Sequence, residues 1–154
     1  MFAVFKFYCD TFIQSRLDPM KNILVPIDGS EPSLRALEFG AQLAEGLGIK
    51  LSLLVVHQYN VGRKAVVSVW TAEEVSSILK KARELAIGFY HNDIVIAEVK
   101  SRDVARAVME YAEQNEIDLI VMGASGMGGV KTFLVGSVSE EVLRKSICPV
   151  TIVH

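Results

Sequence analysis

No run of basic residues longer than Lys80-Lys81 occurs in these 154 residues, and 16 Lys and Arg against 18 Asp and Glu leave a net charge of −2. Non-specific nucleic-acid binding relies on a concentrated basic face, and the composition argues against it. Cysteine is scarce as well. Cys9 and Cys148 have no Cys or His neighbours at metal-ligand spacing, so two unpaired thiols of an intracellular, cytoplasmic protein are expected and no metal site is. Long apolar runs are also missing. Residues 1–20 are the candidate membrane segment, but Lys6, Asp10, Arg16 and Asp18 interrupt them, far short of the roughly twenty apolar residues a spanning helix needs. They have neither the basic start nor the small-residue cleavage site of a secretory signal, so neither export nor a membrane partner is expected. Catalytic groups are equally thin. His57, His91 and His154 fall in loops or at the terminus on this reading and serve as surface histidines, and no Ser-His-Asp or Cys-His set can be assembled around them.

What is present is an alternation of strand-like and helix-like segments in a chain of one-domain length, enough to bury about two-thirds of the surface its unfolded form exposes. Residues 22–27 read as a first strand that must turn at Pro26-Ile27-Asp28-Gly29. Ser30 then caps a helix whose Glu31 and Pro32 suit the first turn. Leu34, Leu37, Ala41 and Ala44 recur at helical spacing, and Gly46 and Gly48 stop the helix. A second strand covers 51–56, followed by a less regular stretch over 57–70. Thr71 with Glu74 forms a capping box for a helix running to about Tyr90. Residues 93–99 make a third strand, alternating toward its end as an outer strand does, and 103–114 a third helix. The short, branched segment 117–122 has the composition of a parallel strand buried on both faces. A last helix over 137–145 and a fifth strand over 150–153 complete the series. Such alternation implies right-handed crossovers and a doubly wound, mostly parallel α/β sheet, with ligands at the carboxyl ends of the strands where the winding reverses.

From Gly123 to Ser139 the chain reads G-A-S-G-M-G-G-V-K-T-F-L-V-G-S-V-S. A buried strand thus leads into a glycine-rich loop that delivers Gly136 onto the start of a helix. Ser137 and Glu140 have the spacing of a capping box. Unpaired N–H groups and a partial positive charge at a helix start stabilise a phosphate, and glycine lets the anion approach because a Cβ would hold it away. Two familiar phosphate loops fail here. A Walker A loop ending at Lys131-Thr132 would need glycine where Ser125 and Val130 stand, and a G-x-G-x-x-G fingerprint from Gly126 would need glycine at Lys131.

The spacing Gly123, two residues, Gly126, nine residues, Gly136-Ser137 resembles the ATP-binding signature of the universal stress protein family. The likeness extends over 21–154. It includes I-L-V-P-I-D-G-S (23–30), M-G-A-S-G (122–126), G-S-V-S (136–139) and C-P-V-T-I-V (148–153). It implies a universal stress protein domain over 20–154 preceded by an extension over 1–19, and a five-stranded parallel sheet of order 3-2-1-4-5 with helices on both faces, adenine-nucleotide alpha-hydrolase-like. That order sets Asp28 opposite the Gly123 loop. The resemblance further implies that Pro26, Ile27 and Asp28 meet the adenine and ribose, that Val56 lies against the base, and that Met122 and Gly123 lie beneath the ribose and phosphates. Gly126, Gly136, Ser137, Val138 and Ser139 would form the phosphate-binding turn, with Ser125 as an additional donor. The blander reading of Asp28 is a turn residue bonding its own backbone.

The expected function is therefore an ATP-binding, nucleotide-responsive binding or signalling module of the stress response, with Asp28 able to hold Mg²⁺ through water. The resemblance implies a homodimer through the Val150–Val153 edge and leaves room for a further protein partner. Three rivals remain at this point: a slow ATP hydrolase or phosphotransferase using Lys131, a sensor of AMP or cyclic AMP, and a dimerisation protein without ligand. The apolar residues 1–19 are expected to dock on their own domain or on a neighbouring subunit, because Phe2, Val4, Phe5, Phe7 and Tyr8 are costly to leave in water.

Overall fold

The computed structural model describes residues 19–61, 66–125 and 135–154. The expectations placed on residues 1–18 (Cys9 among them), on Gly126 and on Lys131 lie outside these. Five strands pair in parallel: β1 (Asn22–Pro26), β2 (Lys50–Val61), β4 (Ile94–Ser101), β5 (Leu119–Gly123) and β6 (Val150–Val153). Their order in space is β4-β2-β1-β5-β6. Counted along the chain as parallel strands, this is the 3-2-1-4-5 order that the resemblance implied. A short β3 (Val66–Ser68) pairs antiparallel with the far end of β2.

Alternation along the strands assigns each side chain to a layer. Ile23, Val25, Leu51, Leu53, Val55, Leu119 and Val121 pack with Ala36, Leu37, Ala41 and Ala44 of α1 (Glu31–Leu47) and with Val75, Ala82 and Ala86 of α2 (Ala72–Ala86). Leu24, Leu54, Ile120 and Met122 pack on the other side with Ala105, Val108 and Ala112 of α3 (Val104–Gln114) and Val142 of α4 (Ser137–Lys145). The first two helices thus cover one face and the last two the other. The winding reverses between β1 and β5, each of them buried on both faces. At the amino ends of these strands, Asp118 Oδ2 accepts from the backbone N–H groups of Lys21 (2.7 Å) and Asn22 (2.9 Å), which fixes their relative height.

Several local expectations need correction. The second strand does not stop at Val56: it continues to Val61, because its outer end gains β3 as a partner and Val69 N–H donates to the Gln58 carbonyl at 2.9 Å. His57 is consequently a buried strand residue and not a loop residue. Gly46 lies within α1, whose stop is Gly48 alone, in the left-handed region at φ 66°. The second helix closes at Ala86, short of Tyr90, whose hydroxyl instead donates to the Ile49 carbonyl at 3.0 Å. Ser137 is not a cap either. The N-cap of α4 is Gly136, extended at φ −64° and ψ 156°, with no side-chain cap bond, so the Ser137–Glu140 box is not formed. The Thr71–Glu74 box, by contrast, has both of its bonds.

Candidate functional site

The carboxyl end of β1 is shaped by its own sequence. Asp28 Oδ1 accepts from Ser30 N–H (2.9 Å) and from the Ser30 hydroxyl (2.5 Å), while Ser30 Oγ accepts from Ser33 N–H (3.3 Å) and so caps α1. Gly29, at φ +79°, makes the reversal and lies against Ile78. Asp28 is therefore a turn residue by one oxygen. Its Oδ2 has no hydrogen bond among the described residues, and that oxygen is available to a ligand.

At the end of β5 the chain is held from two sides. Ala124 N–H donates to the Val153 carbonyl at 2.8 Å, and Gly136 N–H donates to the Ala124 carbonyl at 2.6 Å. Ala124 and Gly136 are therefore direct neighbours in space. Ser139, 4% exposed, donates its hydroxyl to the Gly123 carbonyl at 2.8 Å and ties the first turn of α4 to the strand end. Gly123 is a glycine for a reason the sequence did not show: a Cβ there would stand 2.6 Å from the Pro32 carbonyl carbon. Its missing side chain admits the first turn of α1. Because no side chain among the described residues caps α4, its first N–H groups can serve another acceptor.

A third wall comes from β2 and the turn after β3. His57 Nε2 lies 2.8 Å from the Trp70 carbonyl and Nδ1 lies 3.3 Å from Glu98 Oε1. Gln58 Nε2 donates to the Arg102 carbonyl at 3.4 Å, reaching from β2 to the start of α3.

These walls enclose a cavity of about 560 Å³. Pro26, Ile27, Asp28, Val56, Met122, Gly123, Ser125, Gly136, Ser137, Val138 and Ser139 all line it, so the structure brings together every expected site residue that it describes. Gly126 lies outside the described residues. The lining also includes Ser33, Leu54, Gln58, Val69, Trp70, Val104, Val108 and Val135, which sequence reading missed. Part of that set carried a signal. Leu54 and Gln58 flank Val56 at a spacing of two, so they share its face of β2 once the strand is known to continue, and Val104 and Val108 stand one helical turn apart. Val69 and Trp70 carried none, because their place depends on the β3 pairing. The lining combines apolar residues, Leu54, Val56, Val69, Trp70 and Val108 among them, with the polar Asp28, Ser125, Ser137 and Ser139. Size and division suit a small ligand with one flat apolar part and one anionic part. The donor set fits a magnesium–nucleotide complex: Asp28 would supply the carboxylate that Mg²⁺ at a nucleotide commonly uses, and the α4 start would supply N–H groups for phosphate.

Among the described residues no helix is long and apolar enough to cross a membrane. The model of the universal stress protein family matches residues 19–154. The chain is 30% identical over 156 aligned positions to a universal stress protein of Methanocaldococcus jannaschii, MJ0531, covering 96% of this chain and 91% of that one. It is 31% identical to YxiE, a universal stress protein of Bacillus subtilis, covering 86% and 97% respectively. A universal stress protein solved in complex with cAMP superposes with a TM-score of 0.71 at 28% identity, covering 89% of this chain and 98% of that one. With the family's strand order in place and the family model spanning almost all of the sequence, the chain belongs to the universal stress protein family.

Proposed function

We propose that this protein binds ATP, held with Mg²⁺, at the carboxyl ends of β1 and β5, and acts as a nucleotide-responsive binding module. One observation carries the reading: Asp28 with its second oxygen unbonded among the described residues, the apolar Val56 and the start of α4, which no described side chain caps, converge on one cavity of nucleotide size. Val56, Pro26 and Ile27 take the adenine and ribose, and Met122 and Gly123 floor the site. The N–H groups of Ser137, Val138 and Ser139, with the Ser137 and Ser125 hydroxyls, take the phosphates, and Gly136 lets them approach. Ser139 acts chiefly by position, since its hydroxyl hydrogen is committed to Gly123.

Micromolar binding needs about 8 kcal/mol. Hydrogen bonds to a charged phosphate contribute about 1.5–3 kcal/mol each, so two or three of them leave a remainder that burial of the base must supply. Both halves of the cavity are needed. The similarity to a protein solved with cAMP favours a second reading, in which the site serves AMP or cyclic AMP and the terminal phosphates are not used.

The working unit in this reading is a cytoplasmic homodimer. Among the described residues β6 pairs on one side only, with β5, and its half-buried Val150–Val153 is the edge that a second copy would close. Calorimetric titration of the full chain with ATP, AMP, cAMP and GTP, each with and without Mg²⁺, tests the assignment. Saturable 1:1 binding of ATP that tightens with Mg²⁺ and is not matched by GTP supports it. Tighter binding of AMP or cAMP moves the assignment to the second reading, and no binding of any adenine nucleotide ends both.

A further inference from the structure

The single tryptophan of this chain, Trp70, lines the cavity and has no part in the family motif. Its position is set from its backbone. The Trp70 carbonyl faces His57 Nε2 at 2.8 Å, and since a carbonyl only accepts, Nε2 carries the hydrogen. His57 is 7% exposed and sits in β2 with Lys100 of β4 as its register partner, so its ring is held by the sheet. Nδ1 faces Glu98 Oε1 at 3.3 Å. In the imidazolium both nitrogens donate; in the neutral ring with its hydrogen on Nε2, the bond to Trp70 remains. The grip on Trp70 therefore survives a change of charge that the Glu98 contact does not. A second tie, Val69 N–H to the Gln58 carbonyl at 2.9 Å, holds the neighbouring residue to the same strand. A histidine that merely satisfied a turn carbonyl would be ordinary, but this carbonyl belongs to a residue that lines the pocket.

We infer that His57 is a positioning residue for the base of the bound nucleotide: by holding the Trp70 carbonyl it fixes the indole as the wall on which an adenine rests. This rests on the adenine-nucleotide reading above and deepens it. The indole is flat and apolar, it lines the cavity and packs against the core cluster that includes Ile27 and Val55, and an aromatic ring accepts a base by its face without regard to the phosphates.

The test titrates adenosine, AMP and ATP into the full chain, following both heat and the emission of Trp70, which reports on this wall alone because no other tryptophan exists. In the unaltered protein all three ligands are expected to change the emission. Trp70→Ala is expected to weaken all three by a common factor of about tenfold, the measure of one stacked base. His57→Leu is expected to weaken all three by a common factor of about fivefold and to reduce the emission change, while His57→Gln, which restores an N–H donor, recovers most of both. Gly136→Val gives the contrast, losing the phosphorylated ligands while sparing adenosine. Unchanged affinities in His57→Leu, a loss confined to ATP, or ligand binding that leaves Trp70 emission untouched would each overturn the inference. Should His57→Leu fail to fold, Trp70→Ala decides alone: equal affinity there rejects the wall. If the unaltered chain binds none of the three, the nucleotide reading itself falls and takes this one with it.

Discussion

The two sides of the cavity were built by different means. The side made by β5 and the start of α4 is local: strand, glycine-rich segment and helix follow one another within Leu119–Lys145, and the bonds that shape it run between Ala124 and Gly136 and between Gly123 and Ser139. The side made by β2 and Trp70 is assembled from a distance, with His57 reaching Trp70 along the chain and Glu98 across the sheet. A local wall leaves a spacing in the sequence that a reader can match. A wall assembled across the sheet leaves only isolated residues. The comparison also separates two uses of glycine on the local side. Gly123 makes room for the protein's own Pro32, whereas Gly136 stands at an uncapped helix start facing the pocket.

Substitutions at the two glycines separate these uses. The largest effect is expected from Gly123→Val, which puts branched atoms where even a Cβ would lie 2.6 Å from backbone at Pro32. Because that neighbour is main chain and cannot rotate away, we expect a loss of about 3 kcal/mol or more in urea unfolding. Gly136→Val should do the opposite, keeping the unfolding midpoint near that of the unaltered chain while weakening ATP by about tenfold or more in calorimetry. If Gly123→Val folds normally and only binding suffers, the two glycines have the same role and the distinction is lost.

Smaller effects sharpen the picture on the assembled side. Gln58→Ala removes a 3.4 Å bond to Arg102 from a half-buried residue, and we expect ATP affinity to fall by less than about threefold, since a long bond of this kind is worth under about 1 kcal/mol. A drop as large as that of Gly136→Val would make Gln58 a direct ligand contact. The smallest effect is expected at Glu45, on α1 and away from the cavity. The His91 backbone N–H, 3.0 Å from Oε2, and then the His91 ring hold this carboxyl below its usual range. Its contribution is present above the ordinary carboxylate pKa and is lost as pH falls through the lowered one. Because the group is exposed, Glu45→Gln should leave the melting temperature at neutral pH nearly unchanged and flatten only the acid limb of a stability profile.

Much of the fold was legible because its signals are periodic. Branched apolar strands at 22–26, 51–56 and 119–123 and the stripe through Leu37, Ala41 and Ala44 are consequences of burial on one or both faces, and burial imposes a period that survives in the sequence. The failures share a cause. The outer half of β2 looks irregular because its partners, β3 and Val69, are supplied only after the chain has turned back. His57 looked like a surface residue because nothing nearby in sequence announces a buried ring between Glu98 and the Trp70 carbonyl. At Ser137 the residues for a cap are present, yet the helix takes Gly136 as its cap and leaves the box unmade. A helix end with its side-chain cap in hand and unused is the arrangement that keeps N–H groups for a ligand.

The most direct test of the central claim is the structure of a crystal of this protein soaked in Mg-ATP. A nucleotide is expected in the cavity with its base between Val56 and Trp70 and its phosphates on the N–H groups that open α4. A cavity that stays empty, with the first turn of α4 closed by the Ser137 side chain as a cap, would contradict it.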